Sequence, residues 1–498
     1  MTVILLLYWG ALTPLGIPTL FLQNQLDSYA HKSSLRMTLN AKTFLYLRKI
    51  VTRILIVIVI LLNLNTAIAA KNNVKSAIEE QLKMIIPPVN IGIKIRNLTT
   101  NKVIYQQNEQ KYYNFASSLK FITLATLREH FGDDHIFSSK ILRKENNYYL
   151  DIHDADFSTD NLEFLVKSIK DQGGSTVNDF YIVNSEFSLP PLMEGNMLED
   201  SVYCYGALIT KVHINKNCAY LLINPAKRTK DKIYFKHIGI SPYKVINYAT
   251  TIPFKSKDKI HASIKKDAFI VKGTLNKAYK DLVISAVSND NLLHIKLILQ
   301  KLLAKYDIAL SGSIIYGPKP QDAKEIATVD KSFYQLASIA LKKSDNYITD
   351  YLFSAFSHVY GSINWRDAGG LIKQLAFEKL NVDLNDSVIV DGSGLSRYNL
   401  LTVNHFDQFL NNIYNRNDYK IIFSMLAQHD EESTLKGRFL GVNIFAKTGS
   451  MTGVSSLVGY FLDNNNTPYS FVIVSNNFIG GKKKYIYLEE KIVRIIIE

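Results

Sequence analysis

Three short patterns in this chain combine residue types that can do nucleophilic chemistry together. The first lies in "YNFASSLKFITLATLREHFG", where Ser117 precedes Lys120 by three positions. The second is the Ser344-Asp345-Asn346 triplet of "KKSDNYITDYLF", and the third is Lys447-Thr448-Gly449 of "FAKTGSMTG". A serine hydroxyl is a weak nucleophile until a neighbouring base takes its proton. A lysine three residues further along a helix faces the same way as the serine, so its amine can reach the hydroxyl. A helix N-terminus also offers free N–H groups and the positive end of the macrodipole to a developing oxyanion.

Each pattern has a plain structural reading too. Ser117 can simply cap a helix, as serine does in helices generally, and further Ser-x-x-Lys copies occur at Ser241, Ser256, Ser263 and Ser433. Ser-x-Asn recurs at Ser362 and Ser475, whereas Lys-Thr-Gly occurs once. The first copy stands apart because Leu119, Ile122, Leu124, Leu127 and Phe131 follow it, predicting a strongly amphipathic helix. Gly449 sits in strand-like sequence, where a glycine marks close approach of another backbone or a ligand.

A lysine accepts a proton only if its pKa falls from about 10.4, and burial or a second cation lowers it. Two lysines at one site therefore suit a division of labour. One is neutral and acts as base, while the other is charged and holds an anionic substrate end.

The elements that must position these groups lie at the two ends of the chain. "NIGIKIRNLTTNKVIYQQ" predicts a hairpin, preceded by a helix over Val74 to Ile86 that the proline pair Pro87-Pro88 ends. "VNIFAKTG", "SSLVGYFL" and "YSFVIVSN" predict three more strands, and "YIYLEEKIVRIIIE" a closing helix. Together they predict an α+β fold with a five-stranded antiparallel sheet flanked by helices. Short alternating runs predict a mostly β insertion over 141–284, and helical spacing returns from about 286 to 440. The expected organisation is thus a first segment 1–70, a main domain from 71–140 and 285–498, and the insertion between them.

At 498 residues and 47% hydrophobic content the chain is long enough for two or three packed domains, and disorder is excluded as its class. The formal charge of +14 is scattered along the chain, without a nucleic-acid-binding signature. Arg48, Lys49 and Arg53 precede the apolar run "ILIVIVILL", and "TAIAA" follows. That order predicts a secretory signal around 37–70 with cleavage after Ala69 or Ala70, an uncleaved anchor being the alternative. Residues 1–36 read as an extension upstream of Met37. Removing 1–69 takes away six basic residues and one acid, lowering the charge from +14 to +9. The two cysteines, Cys204 and Cys218, predict a disulfide if the chain is exported, with a pair of buried thiols as the alternative.

The three patterns occur in the order Ser-x-x-Lys, Ser-x-Asn, Lys-Thr-Gly, 227 and 103 positions apart. This set resembles that of penicillin-binding proteins and class A β-lactamases. With "IVDGSGLSRYNLLT" (Ile389 to Thr402), the chain from about residue 75 onward closely resembles the class C low-molecular-mass penicillin-binding proteins. Those are secreted D-alanyl-D-alanine carboxypeptidases and endopeptidases with large insertions between the first two motifs.

The resemblance implies the penicillin-binding/β-lactamase-like transpeptidase fold. It makes Ser117 the acylated nucleophile, Lys120 its general base, Ser344 a proton relay and Asn346 a holder of Lys120 and the substrate amide. Lys447 and Thr448 would bind the terminal carboxylate with Arg397 nearby, and the N–H groups of Ser117 and Ser450 would form the oxyanion hole. Peptidoglycan stem peptides are the implied substrates and β-lactams the implied inhibitors. No cofactor, metal or nucleic acid is expected, weak membrane association is allowed for, and the oligomeric state is open. Two departures stand out: Val183 replaces an acidic residue that often meets the stem peptide's diamino acid, and Thr452 replaces a frequent glutamine. A β-lactamase and a non-catalytic wall-binding protein are the competing readings. No Glu-x-x-Leu-Asn pentad follows Ser117, and no motif residue is missing.

Overall fold

The structure, a computed structural model, describes residues 74–254, 256–429 and 432–497, together with 50, 52–54, 56 and 57. The described positions before residue 58 are helical and exposed. The expected signal otherwise lies outside the described residues. Among the described residues no helix is long and apolar enough to cross a membrane.

From residue 74 onward the fold is built on a five-stranded antiparallel sheet. Its strands are β1 (Asn90–Asn97), β2 (Lys102–Gln107), β3 (Ile444–Met451), β4 (Val454–Leu462) and β5 (Pro468–Asn476), in the order β3-β4-β5-β1-β2. The two chain ends meet where β1 pairs with β5 from Asn90↔Asn476 to Asn97↔Tyr469. Strand alternation gives the sheet two apolar faces. Ile91, Ile93 and Ile95 with Phe471 and Ile473 pack on the helix at 74–83 and on the C-terminal helix Lys483–Ile497. Val472 and Val474 face the opposite way, into the largest core cluster.

That second face carries α1 (Leu119–Phe131), α2 (Phe333–Lys343), α3 (Asn346–Val359), α4 (Trp365–Leu380) and α5 (Val403–Tyr414). Sequence spacing predicted α1 as a strongly amphipathic helix, and the structure corrects this. Every residue from Leu119 to Arg128 is buried, Lys120, Thr123 and Thr126 included. The helix is enclosed by its neighbours, and Thr123 Oγ1 donates to the Gly392 carbonyl at 2.9 Å.

The intervening segment forms two further layers. A second five-stranded sheet takes its strands in the order Ile314–Gly317, Phe180–Val183, Asn147–Asp151, Ile136–Lys144, Lys324–Ser332, with parallel and antiparallel pairs. Helices Thr159–Asp171 and Asn291–Lys305 cover it, burying Leu162, Leu165, Ile295 and Leu299 against Ile141, Leu150 and Phe180. This layer reaches from 136 to 332, beyond the expected edges at 141 and 284. Helical spacing after 286 carried no mark of which sheet the helix would cover. The remaining strands, from Cys218–Asn224 to Leu282–Val287, form a small all-β part around Leu221, Ile223, Phe269 and Val271.

Candidate active site

Ser117 sits in a single 3-10 turn, Ala116–Ser118, that leads directly into α1. Ala116 holds φ at +46°, a left-handed conformation that costs a non-glycine residue roughly 1–2 kcal/mol. The surroundings enforce it. Gly449 of β3 and Gly394 of the Asp391–Arg397 loop press against this turn, and a Cβ on either would collide with the carbonyl of Phe115 or Ala116. Ser118, one residue on, ties the turn to the sheet: its Oγ lies 2.8 Å from Ser456 Oγ and donates to the Lys447 carbonyl at 3.2 Å.

Lys120 is fully buried, one turn into the helix. Its Nζ lies 2.8 Å from Ser117 Oγ, 2.6 Å from Asn346 Oδ1 and 2.7 Å from the Ser393 carbonyl. The last two atoms can only accept hydrogen bonds. A neutral amine has two N–H groups for those acceptors and one lone pair left, aimed at the Ser117 hydroxyl proton. Asn346 cannot turn its amide round without losing the bond that its Nδ2 donates to the Tyr205 carbonyl at 2.8 Å. Burial lowers the Lys120 pKa to about 8, against the opposing pull of Asp350, Asp391 and Asp345.

The Ser-Asp-Asn triplet joins α2 to α3. Ser344 ends α2 in the left-handed region with φ +59°, and Asp345 caps α3 by accepting the Ile348 N–H at 3.0 Å. The capping role and the site role thus fall on different residues of one triplet. Asp345 also pairs with Lys216 of the inserted segment.

Lys447 of β3 is fully buried as well. Its Nζ donates to Ser344 Oγ at 2.8 Å and to the Thr448 carbonyl at 2.7 Å. Burial, with Lys120 close by, pushes its pKa well below the ordinary lysine range. Thr448 Oγ1 donates to Thr434 Oγ1 at 2.9 Å, and Lys482 Nζ donates to Ser450 Oγ at 2.7 Å. Arg397 Nη1 donates to the Thr452 carbonyl at 3.3 Å.

Ser117, Ser344, Asn346, Arg397, Thr448 and Ser450 all line one cleft of about 520 Å³, with Lys120 and Lys447 buried behind its wall. The eight residues to which the resemblance gives catalytic, oxyanion or carboxylate-binding roles are therefore gathered in one place. β3 is an edge strand whose outer side is bridged by Ala427 at Ala446, and beyond that bridge an extended peptide can pair along it beside Thr448.

Cys204 and Cys218 are bonded, with Cα atoms 6.0 Å apart. The bridge anchors the segment that carries Tyr205, whose carbonyl holds Asn346, and Asp200, another cleft residue. Val183 is buried at the end of its strand, paired with Gly317 and away from the cleft lining.

Sequence reasoning missed Tyr205, Thr434, Lys482 and the buried carboxylates Asp350 and Asp391. Asp350 Oδ1 accepts the Gly392 and Ser393 N–H groups at 2.9 and 2.8 Å, and Asp391 accepts those of Gly394 and Ser396 at 2.8 and 2.6 Å. These bonds shape the loop that presents the Ser393 carbonyl to Lys120. Asp391 lies inside the quoted Asp-Gly-Ser-Gly run and was within reach of a sequence reading. Tyr205 and Thr434 make backbone and hydroxyl contacts that leave no sequence signal.

The chain is similar to a D-alanyl-D-alanine carboxypeptidase DacB of Haemophilus influenzae, 25% identical over 415 residues that cover 79% of this chain and 86% of that one. It is 23% identical to a D-alanyl-D-alanine carboxypeptidase of an Actinomadura species over 422 residues, 78% of each chain. The crystal structure of penicillin binding protein 4 from H. influenzae superposes with a TM-score of 0.71 at 22% identity, covering 84% of this chain and 99% of that one. Residues 72–494 match the sequence pattern of one family throughout, and the chain belongs to it: the D-Ala-D-Ala carboxypeptidase 3 (S13) family.

Proposed function

We propose that this protein is a serine-type D-Ala-D-Ala carboxypeptidase that acts on peptidoglycan stem peptides through an acyl-enzyme on Ser117, and that it also opens cross-links as an endopeptidase. The observation that carries the reading is the set of three contacts at Lys120 Nζ, two to obligate acceptors and the third to Ser117 Oγ.

The steps follow from that arrangement. Neutral Lys120 takes the Ser117 proton as Oγ bonds to the carbonyl carbon of the penultimate D-alanine. The N–H groups of Ser117 and Ser450 hold the oxyanion, each donor contributing about 3–4 kcal/mol in related acyl-transfer sites. Ser344, held by Lys447, passes a proton to the departing amine, the C–N bond breaks, and D-alanine leaves. Ser344 is reprotonated by Lys120; neutral Lys120 then takes a proton from the water that attacks the ester carbonyl, and the C–O bond breaks as Lys120 passes that proton to Ser117 Oγ and the shortened peptide leaves. Thr448, backed by Lys447, receives the terminal carboxylate, with Arg397 at the cleft edge. A β-lactam acylates the same hydroxyl and leaves slowly; the H. influenzae relative is known in complex with a β-lactam. The five-stranded sheet and its helices form the catalytic part, and the layers between them an insertion. Export from the cytoplasm is supported by the disulfide and by the basic-then-apolar order before residue 70.

Labelling with a fluorescent penicillin tests the assignment. The wild type should take up label and release D-alanine from a pentapeptide muropeptide, and Ser117→Ala should do neither. Rapid turnover of penicillin would favour a β-lactamase instead, and wall binding without D-alanine release a non-catalytic role.

A further inference from the structure

A substrate that ends in a carboxylate needs a cation at the end of the cleft, and the sequence pointed to Lys447. The geometry gives Lys447 other work. Its side chain has no exposed surface, and its ammonium points at Ser344 Oγ and the Thr448 carbonyl. It is absent from the cleft lining, as is Lys120.

Three cationic side chains do line the cleft: Arg397, Arg438 and Lys482. Arg438 is engaged with Glu489 at 2.9 Å and with the Ile486 carbonyl at 3.3 Å. Arg397 donates to the Thr452 carbonyl. Lys482 is exposed and directs its Nζ at Ser450 Oγ. Ser450 is two residues beyond Thr448 on β3, so strand alternation sets the two hydroxyls on the same side. Glu489, the acid of the C-terminal helix that lines the cleft, is buried and satisfied by Arg438 and by Ser455 Oγ, which donates to it at 2.6 Å. Asp200, the other acid in the cleft lining, accepts from Tyr205 Oη at 2.8 Å.

We propose that Lys482 supplies the positive charge that grips the substrate's terminal carboxylate beside the Thr448 and Ser450 hydroxyls, which leaves buried Lys447 to the proton relay through Ser344. The inference rests on the carboxypeptidase reading and adds a substrate-binding residue outside the three motifs. Two unlike lysines then divide the labour. The buried one, with its depressed pKa, exchanges protons, and the exposed one faces the cleft beside the Thr448 and Ser450 hydroxyls.

The test compares a diacyl-Lys-D-Ala-D-Ala tripeptide with the same peptide carrying a C-terminal amide. Lys482→Gln should raise KM for the free acid about tenfold to a hundredfold, the usual range for losing a charge-assisted bond. kcat should change little, and Lys482→Arg should restore most of the loss. The amide should be cleaved equally by wild type and Lys482→Gln, and the salt dependence of KM for the acid should flatten in the variant. Equal losses on both substrates, or no loss on the acid, would overturn the proposal. Failure of the carboxypeptidase reading would look different: no Ser117-dependent label and no D-alanine release from the wild type.

Discussion

Gly449 and Phe115 lie so close that the sheet and the nucleophile turn share one surface. A Cβ on Gly449 would meet the Phe115 carbonyl and come within 2.8 Å of the Ser118 nitrogen. The glycine of Lys-Thr-Gly is thus required by the backbone that carries Ser117. Gly449→Ala must push β3 away from that turn, and a misplacement of about 1 Å at a reacting group can cost about 10²-fold in rate. The variant should fold yet acylate with labelled penicillin about a hundredfold more slowly, as measured by stopped-flow.

The pH dependence follows from Lys120. Protonated, it has no lone pair for the Ser117 proton, so acylation should climb with pH as Lys120 loses its proton near its pKa of about 8. Asp350 is fully buried beside Asp391, which with its burial raises its pKa to about 8, and its Oδ2 has no hydrogen-bond partner. Its negative charge, once formed, stabilises the charged form of Lys120. Asp350→Asn keeps an oxygen for the Gly392 and Ser393 N–H groups but cannot carry charge. The acid limb of the acylation profile should therefore move to lower pH, and an unmoved limb would refute this coupling.

Removing the Cys204–Cys218 bridge tests how far the inserted segment supports the site. The bridge closes a loop of 14 positions, worth about 3 kcal/mol on chain entropy. Cys204→Ser with Cys218→Ser should lower the melting temperature by several degrees. Because Tyr205 holds Asn346 through its carbonyl, kcat/KM should also drop, and calorimetry with steady-state kinetics would separate the two effects.

Asp407 of α5 clamps β1, the strand that joins the edge strand β2 to the rest of the sheet. It accepts from Arg96 Nε at 3.0 Å and pairs with Lys94 at 2.9 Å, with only 6% of its side chain exposed. Asp407→Ala leaves two cations without their counter-ion in a largely dry place, a loss of about 3–5 kcal/mol for breaking a buried pair. Urea unfolding should report a lower midpoint, while Ser117 labelling of the remaining folded fraction is retained.

Much of the framework was legible beforehand because it follows from local periodicity. Alternation in Ile91, Ile93 and Ile95, its resumption at Val103, and the alternation in the segments that became β3 to β5 marked five strands. The helix at 119–131 was misread for a physical reason. Its apolar residues follow helical spacing, and spacing carries no mark that Lys120, Thr123 and Thr126 between them are buried as well.

The sequence by itself determined which groups do the chemistry, since a serine, two lysines and an asparagine in fixed short spacings already limit what they can do together. It could not determine which amine points at which hydroxyl, that both lysines are fully buried, or that Lys482 lines the cleft. Those depend on burial and on contacts between residues more than two hundred positions apart, such as Lys120 with Asn346. Only the packing of β3, the Ser117 turn and the Asp391 loop against one another creates them.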